Sequence, residues 1–285
     1  MNRKFAGHAV CPTKVTATFA LIAAFGLTAC GGGGDNPPTF SWKGEELPPA
    51  SNGIKVDGQS RSVEVSDGMV AGLLASAPSS NYGVLSSSSG GSKWRSIKAG
   101  LFSEAAPGAY MKLGDAATLL RGTITDLSGN GHYAIGRWTD GVDSQGHTYN
   151  ANQGRVWVVG QPVTTATVTH GGTLTCALEA ATRPVAIDGN TLPGRLTAGS
   201  ATAYLGGDAP RYDLSLTYEI GHDNAQSMKA TAVSLGLESS RRDQRMLFST
   251  FLGGAPEKPY LAVAYTMQAP TVGTIHGLAV MACSR

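Results

Sequence analysis

Between Arg211 and Ile220 the chain reads Arg-Tyr-Asp-Leu-Ser-Leu-Thr-Tyr-Glu-Ile, apolar at every second position and polar between. Side chains of an extended strand point alternately to opposite faces, so this segment buries one face and wets the other. The pattern predicts an antiparallel strand rather than a parallel one covered on both sides. Similar, shorter segments are Thr123–Ile124, Tyr133–Trp138, Arg155–Val159, Thr173–Leu178, Ala201–Leu205, Ala230–Leu237, Met246–Leu252, Leu261–Met267 and Thr274–Ala282. Turn signals separate them, among them Ser128-Gly-Asn-Gly131, Asp188-Gly-Asn190, Gly221-His-Asp-Asn224 and Gly253-Gly254. Glycine supplies 38 of 285 residues and charged residues only 15%, a balance that suits short strands and tight turns better than helices.

Strands at this spacing predict an all-β fold, with an antiparallel β-barrel over residues 121–285 and a β-sandwich as the alternative. A barrel removes exposed sheet edges. Residues 54–120 are less regular. Val63–Leu74 mixes strand-like and helix-like patterns, Ser76–Ser92 is rich in Ser and Gly, and Pro107–Leu120 fits either a helical turn or a short strand. This part is expected to be a smaller, irregular N-terminal section packed on the barrel.

The first 53 residues carry an address. Arg3, Lys4 and Lys14 form a basic start, and no acidic residue precedes Asp35. Val15 to Gly26 is an apolar core of 12 residues, shorter than the roughly 20 needed to span a bilayer as a helix. Leu27-Thr28-Ala29-Cys30 follows, and then Gly31 to Gly34. Small residues before the cut serve any secretory signal; the cysteine has a use only as the thiol that accepts a lipid. The run therefore reads as a lipobox, with residues 1–29 removed and Cys30 acylated. More than one acyl chain there would give stable anchoring. Residues 30–53, rich in Gly and Pro, should form a flexible tether. Position 31 is glycine rather than an inner-membrane-retaining aspartate, which favours the bacterial outer membrane, on its periplasmic or surface-exposed face.

Processing changes the charge and the cysteine arithmetic. Residues 1–29 hold three of the 22 basic residues and none of the 20 acidic ones, which leaves the mature chain near −1. A nucleic-acid partner thereby loses its electrostatic support, because only the short cluster Arg241, Arg242 and Arg245 remains. Of the four cysteines, Cys11 leaves with the signal and Cys30 becomes a thioether. Cys176 and Cys283 remain, without His or Cys at metal-ligand spacing, and pair as a disulfide in an oxidising compartment. Closing a loop of that length restricts the unfolded chain by about 4 to 5 kcal/mol in the entropic model.

Catalytic motifs are missing from the sequence. It contains no G-x-S-x-G elbow, S-x-x-K, H-E-x-x-H or P-loop. No catalytic residue, metal ligand or cofactor site is expected. His132, His147, His170, His222 and His276 are scattered, each beside a glycine, and most are read as exposed turn residues. Asp140-Gly-Val-Asp143-Ser-Gln-Gly146 places two carboxylates in one loop but departs from calcium-loop spacing, so it reads as a hairpin loop. Trp138 and Trp157 stand in neighbouring strand segments. Facing outward they would make an aromatic patch for a ligand; facing inward, the more usual arrangement, they are core.

Gly129-Asn-Gly-His-Tyr-Ala-Ile-Gly-Arg-Trp138, then Asp140-Gly141 and Gln153-Gly-Arg-Val-Trp-Val-Val-Gly160, resembles a pattern of the transferrin-binding-protein-like β-barrel lipoproteins, in which a strand ending Gly-x-Trp turns back into a second strand. The lipobox and the glycine tether resemble that group as well. The resemblance covers residues 120–165 and the anchor. It implies a binding barrel displayed from the outer membrane, without implying transferrin as ligand, since the long two-lobed receptors do not fit in this chain. The expected function is thus binding of a protein or small-molecule ligand by an envelope protein held to the membrane through Cys30. The alternatives are an envelope hydrolase with a non-local site built on one of the histidines, or a structural scaffold lipoprotein.

Overall fold

Two edge strands that follow one another in the chain force each sheet of this protein to curl. The computed structural model describes residues 53–65, 68–75, 96–163, 171–206, 209–240, 244–255 and 258–285. The lipobox with Cys30, most of the tether, the Ser76–Ser92 segment, His170 and the Arg241–Arg242 pair lie outside the described residues.

The first sheet holds β1 (Ile54–Gly58), β2 (Met69–Leu74), β3 (Ser96–Lys98), β4 (Phe102–Ala106), β5 (Ala109–Leu113), β6 (Ala117–Gly129), β7 (Tyr133–Asp143), β8 (Thr148–Tyr149) and β9 (Arg155–Gly160). Its order is β3-β2-β9-β7-β6-β5-β4, with β1 parallel along β6 and β8 beside β7. The edges β3 and β4 are joined by the single 3-10 turn Ala99–Leu101.

The second sheet holds β10 (Thr173–Ala181), β11 (Val185–Ala186), β12 (Arg195–Tyr204), β13 (Arg211–Ile220), β14 (Asp223–Ser234), β15 (Gly236–Ser240), β16 (Arg245–Leu252), β17 (Tyr260–Ala269) and β18 (Gly273–Ser284). Its order is β14-β13-β12-β10-β18-β17-β16-β15, with β11 beside β18. Here the edges β14 and β15 are joined by Leu235 alone. At this seam the Arg245 guanidinium donates to the Lys229 carbonyl (2.9 Å), and the Ser234 amide donates to the Glu238 carboxylate (3.0 Å).

The all-β expectation holds, with strongly curled, almost wholly antiparallel sheets. The expected partition differs. The boundary placed at residue 120 falls inside β6, and residues 54–120 supply five strands of the first sheet rather than an irregular annex. Their pattern is obscured by register slips in β4, β5 and β6, each of which flips subsequent side chains to the other face. Pro107–Leu120 is strand and turn, without a helical turn. There are accordingly two curled sheets, and the chain passes from one to the other between Gly160 and Thr173.

Three apolar layers follow from side-chain alternation. Strand β13 buries Tyr212, Leu214, Leu216, Tyr218 and Ile220 inside the second sheet's curl, as its sequence requires. Its outer face carries Arg211, Asp213, Ser215, Thr217 and Glu219, the reverse of a lipid-facing barrel wall. Strand β9 is buried at every position. Trp157 and Val159 point into the first sheet's core, whereas Val156 and Val158 join Ala71, Leu73, Tyr133 and Ile135 against the other sheet. The partner surface there is Phe248, Leu252, Ala262, Ala264, Leu278 and Val280. Strands β17 and β18 complete the scheme, since Leu261, Val263, Tyr265, Ile275, Ala279 and Met281 alternate with these into the second core.

Polar clamps border this shared wall. Asp126 accepts from Arg137 Nε (2.7 Å) and from Arg183 Nε (2.6 Å), Gln153 Nε2 donates to the Ile187 carbonyl (2.6 Å), and the Tyr133 hydroxyl donates to Glu179 (2.8 Å). The Cys176–Cys283 disulfide links directly opposed residues of β10 and β18, which are 107 residues apart in sequence.

Trp138 and Trp157 are fully buried, so neither faces a ligand. Trp138 donates to the Tyr110 carbonyl (2.8 Å), and Trp157 meets the Tyr110 ring edge-on at 5.7 Å. Trp157 lies over Gly136, its direct neighbour on β7; a Cβ there would overlap the indole, so glycine makes room for the largest side chain of the core.

His276 is an exception to the exposed turns expected of most of the histidines. It sits on the wall side of β18, the side of Leu278 and Val280, fully enclosed and with Nε2 unpartnered. Burial lowers its imidazole from 6.5 to about 4, and the charges of Arg137 and Arg155 push the same way. The unfolded chain therefore takes up a proton that the fold refuses. This contribution to stability is complete above pH 6.5 and is lost as pH falls toward 4, on the order of 3 kcal/mol at the lower limit. His276→Leu should flatten that part of the profile in urea denaturation at pH 7 and pH 4.5. A variant profile as steep as the wild type's would contradict it.

Candidate functional site

The β6–β7 ladder breaks where the Asp140–Gly146 run begins. Register slips fall between Leu119 and Arg121 and between Arg121 and Thr123. The two backbones touch at Gly122 and Gly141, where a Cβ on Gly141 would overlap the Arg121 carbonyl. Asp140 takes a left-handed φ of 46°, tolerated by Asp better than by most residues. Beside this crossing opens a groove of about 380 Å³, lined by Lys55, Arg121, Thr123, Asp140, Thr148 and Tyr149 among others. Lys55 reaches it from β1, whose parallel pairing sets Ile54 opposite Gly122 and Lys55 opposite Thr123. Lys55, Arg121, Asp140 and Thr148 are exposed.

Under the groove lies a buried charge network. The Asp143 carboxylate, 1% exposed, accepts the Tyr149 hydroxyl, Arg155 Nη1 (2.8 Å) and the amides of Gln145 (2.9 Å) and His147 (3.1 Å). His147 Nδ1 stands 3.2 Å from both carboxylate oxygens. Arg155 also donates to Gln145 Oε1 (2.9 Å) and, through Nε, to the Ala75 carbonyl (2.8 Å). Burial by itself would raise the Asp143 carboxyl, but hydrogen bonds from Tyr149 and Arg155 and the charge of Arg155 outweigh it and hold the group below its ordinary value. Tyr149 moves the other way: burial raises its hydroxyl, and the bond to Asp143 adds to that.

The two carboxylates of the loop thus separate. Asp140 is exposed at the groove while Asp143 is enclosed against Arg155, and no cluster of three His, Cys, Asp or Glu side chains suited to a metal forms among the described residues. His147 has the oriented imidazole of a base, with about a third of the side chain exposed. No hydroxyl or thiol among the described residues is hydrogen-bonded to its ring, so the nucleophile–base contact of a triad is not formed there. His132 bonds Gln161 through Nδ1 (3.0 Å), and His222 is exposed in a turn. Lys55 and Arg121 carried no sequence signal, since their proximity arises only from pairing β1 with a strand some seventy residues later.

No family model, curated protein or solved structure matches this chain.

Asp143→Asn keeps the shape of the network but leaves the Arg155 guanidinium buried without its counter-charge. Such a loss should cost about 3 kcal/mol at neutral pH. Equilibrium denaturation of variant and wild type measures it, and a difference below about 1 kcal/mol would show that the network contributes little to the fold.

Proposed function

We propose that the chain is a bacterial envelope lipoprotein, held to the outer membrane by lipid on Cys30, whose paired β-sheet body acts by binding rather than by catalysis. The lipobox Leu27-Thr28-Ala29-Cys30 ahead of a glycine-rich tether is the observation that carries this reading. Three features support it. The Cys176–Cys283 bond suits an oxidising compartment. The free wall of the second sheet is polar outside and apolar inside. An open polar groove offers uncommitted side chains where a catalytic constellation would show a nucleophile joined to a base. On this reading the body belongs with the transferrin-binding-protein-like lipoproteins that the Gly129–Trp138 and Gln153–Gly160 segments resemble, and its ligand is a protein or small molecule met at the envelope.

Cys30→Ala tests the anchor. The variant should move from the membrane fraction to the soluble fraction and lose incorporation of labelled palmitate. A wild-type chain that takes up no labelled palmitate, or a processed, unacylated form that stays in the membrane fraction after a high-salt wash, would overturn the proposal.

A further inference from the structure

We propose that the groove between β1, β6 and β8 binds a phosphorylated polyol, with Lys55 and Arg121 on the phosphate and Asp140 on the polyol hydroxyls. The inference deepens the binding reading and names the ligand chemistry of its site. Four side-chain donors line this groove: the Lys55 ammonium, the Arg121 guanidinium and the hydroxyls of Thr123 and Thr148. None of the four has an ion-pair or hydrogen-bond partner among the described residues, and neither does the Asp140 carboxylate. Elsewhere the described arginines are more often committed, as Arg137, Arg155, Arg183 and Arg195 all meet carboxylates. The Tyr149 hydroxyl is spent on Asp143, so it closes the floor instead of competing for the ligand.

The donor set selects the anion. Two cations and two hydroxyls drawn from three strands suit a tetrahedral phosphate, whose several oxygens accept from different sides, better than a planar carboxylate. Asp140 repels a phosphate but accepts hydrogen bonds from hydroxyls, which places the polyol on its side of the groove. Its left-handed backbone, fixed by the Gly122–Gly141 contact and by its amide donating to Asn150 (3.3 Å), holds that carboxylate at the rim at some cost in local strain. A soluble sugar phosphate and a phospholipid headgroup present the same chemistry.

The full mature chain in neutral detergent, titrated calorimetrically with glycerol 3-phosphate, inorganic phosphate and glycerol, tests this. Glycerol 3-phosphate should bind with one-to-one stoichiometry and at least about tenfold more tightly than inorganic phosphate, weakening with added salt, while glycerol gives no heat. The double variant K55Q/R121Q should lose at least about thirtyfold in affinity, and D140N should lower affinity for glycerol 3-phosphate while leaving inorganic phosphate within about twofold. Vesicles distinguish the sources. Cys30→Ala protein that floats with phosphatidylcholine vesicles only when phosphatidylglycerol is added identifies a membrane headgroup, and binding confined to glycerol 3-phosphate identifies a soluble ligand; both support the groove. Absence of saturable binding to either probe, or binding that K55Q/R121Q leaves unchanged, overturns it. If the probes fail while Cys30→Ala still leaves the membrane, the groove assignment falls and the anchored-binding reading stands. If Cys30→Ala stays membrane-bound even when combined with K55Q/R121Q, the anchor reading falls while the titration still decides the groove.

Discussion

The wall between the two curled sheets is the contact on which the rest of the molecule depends. A strand inside it sends alternate side chains to two cores, so β9, β17 and β18 are covered on both faces. Neither sheet could leave this surface open, because Phe248, Leu252, Leu278 and Val280 on one side and Leu73, Tyr133, Ile135, Val156 and Val158 on the other would form one apolar patch. Each such side chain contributes about 1.5 to 3 kcal/mol when removed from water. The alanines at 71, 180, 262 and 264 keep the two backbones close enough for those larger groups to interdigitate.

The same strand carries both the wall and the groove. Tyr133 and Ile135, in the first half of β7, pack against the second sheet, while Asp140 to Val142 in its second half line the groove. Between them Arg137 is buried against Asp126, which also receives Arg183 from the second sheet. The groove therefore stands on a strand fixed at one end by apolar packing, at its middle by a two-arginine clamp and at its far end by the Asp143 network. This preorganisation limits the ordering a ligand must impose.

Much of the fold was legible wherever one face meets water. The alternation in 211–220 became β13, and most of the other strand segments read from alternation fall within single strands; Ala201–Leu205 overruns β12 by one residue, and Ala230–Leu237 spans the end of β14, Leu235 and the start of β15. Under two-sided burial the strands were still legible, but not the core that each face serves. Arg155 to Gly160 reads as an apolar run, and nothing local tells that its odd and even residues serve different cores. Hence residues 54–120 were expected as a smaller, irregular section where they supply strands of a curled sheet, while the all-β antiparallel expectation stands. The same cause hides His276, whose flanking glycine suggests a turn although the residue lies in the wall. Lys55 and Arg121 could not be joined from sequence because parallel pairing of β1 with β6 leaves no turn between the partners. The proposed lipobox is the converse case: it rests on the sequence alone and falls outside the described residues.

All four tryptophans, at 42, 94, 138 and 157, precede the second sheet. The two described ones, Trp138 and Trp157, are buried in the first sheet's core, so the unfolding change in their fluorescence follows that sheet, whereas far-ultraviolet circular dichroism follows both. Leu278→Ala, in the second sheet's share of the wall, should lower stability by about 2 to 5 kcal/mol. Denaturation of that variant, followed by both signals, tests the shared wall most directly. A common core predicts that the two transitions coincide and shift together. A fluorescence midpoint left at the wild-type value while the dichroism midpoint falls would contradict it, because the sheets would then unfold as independent bodies.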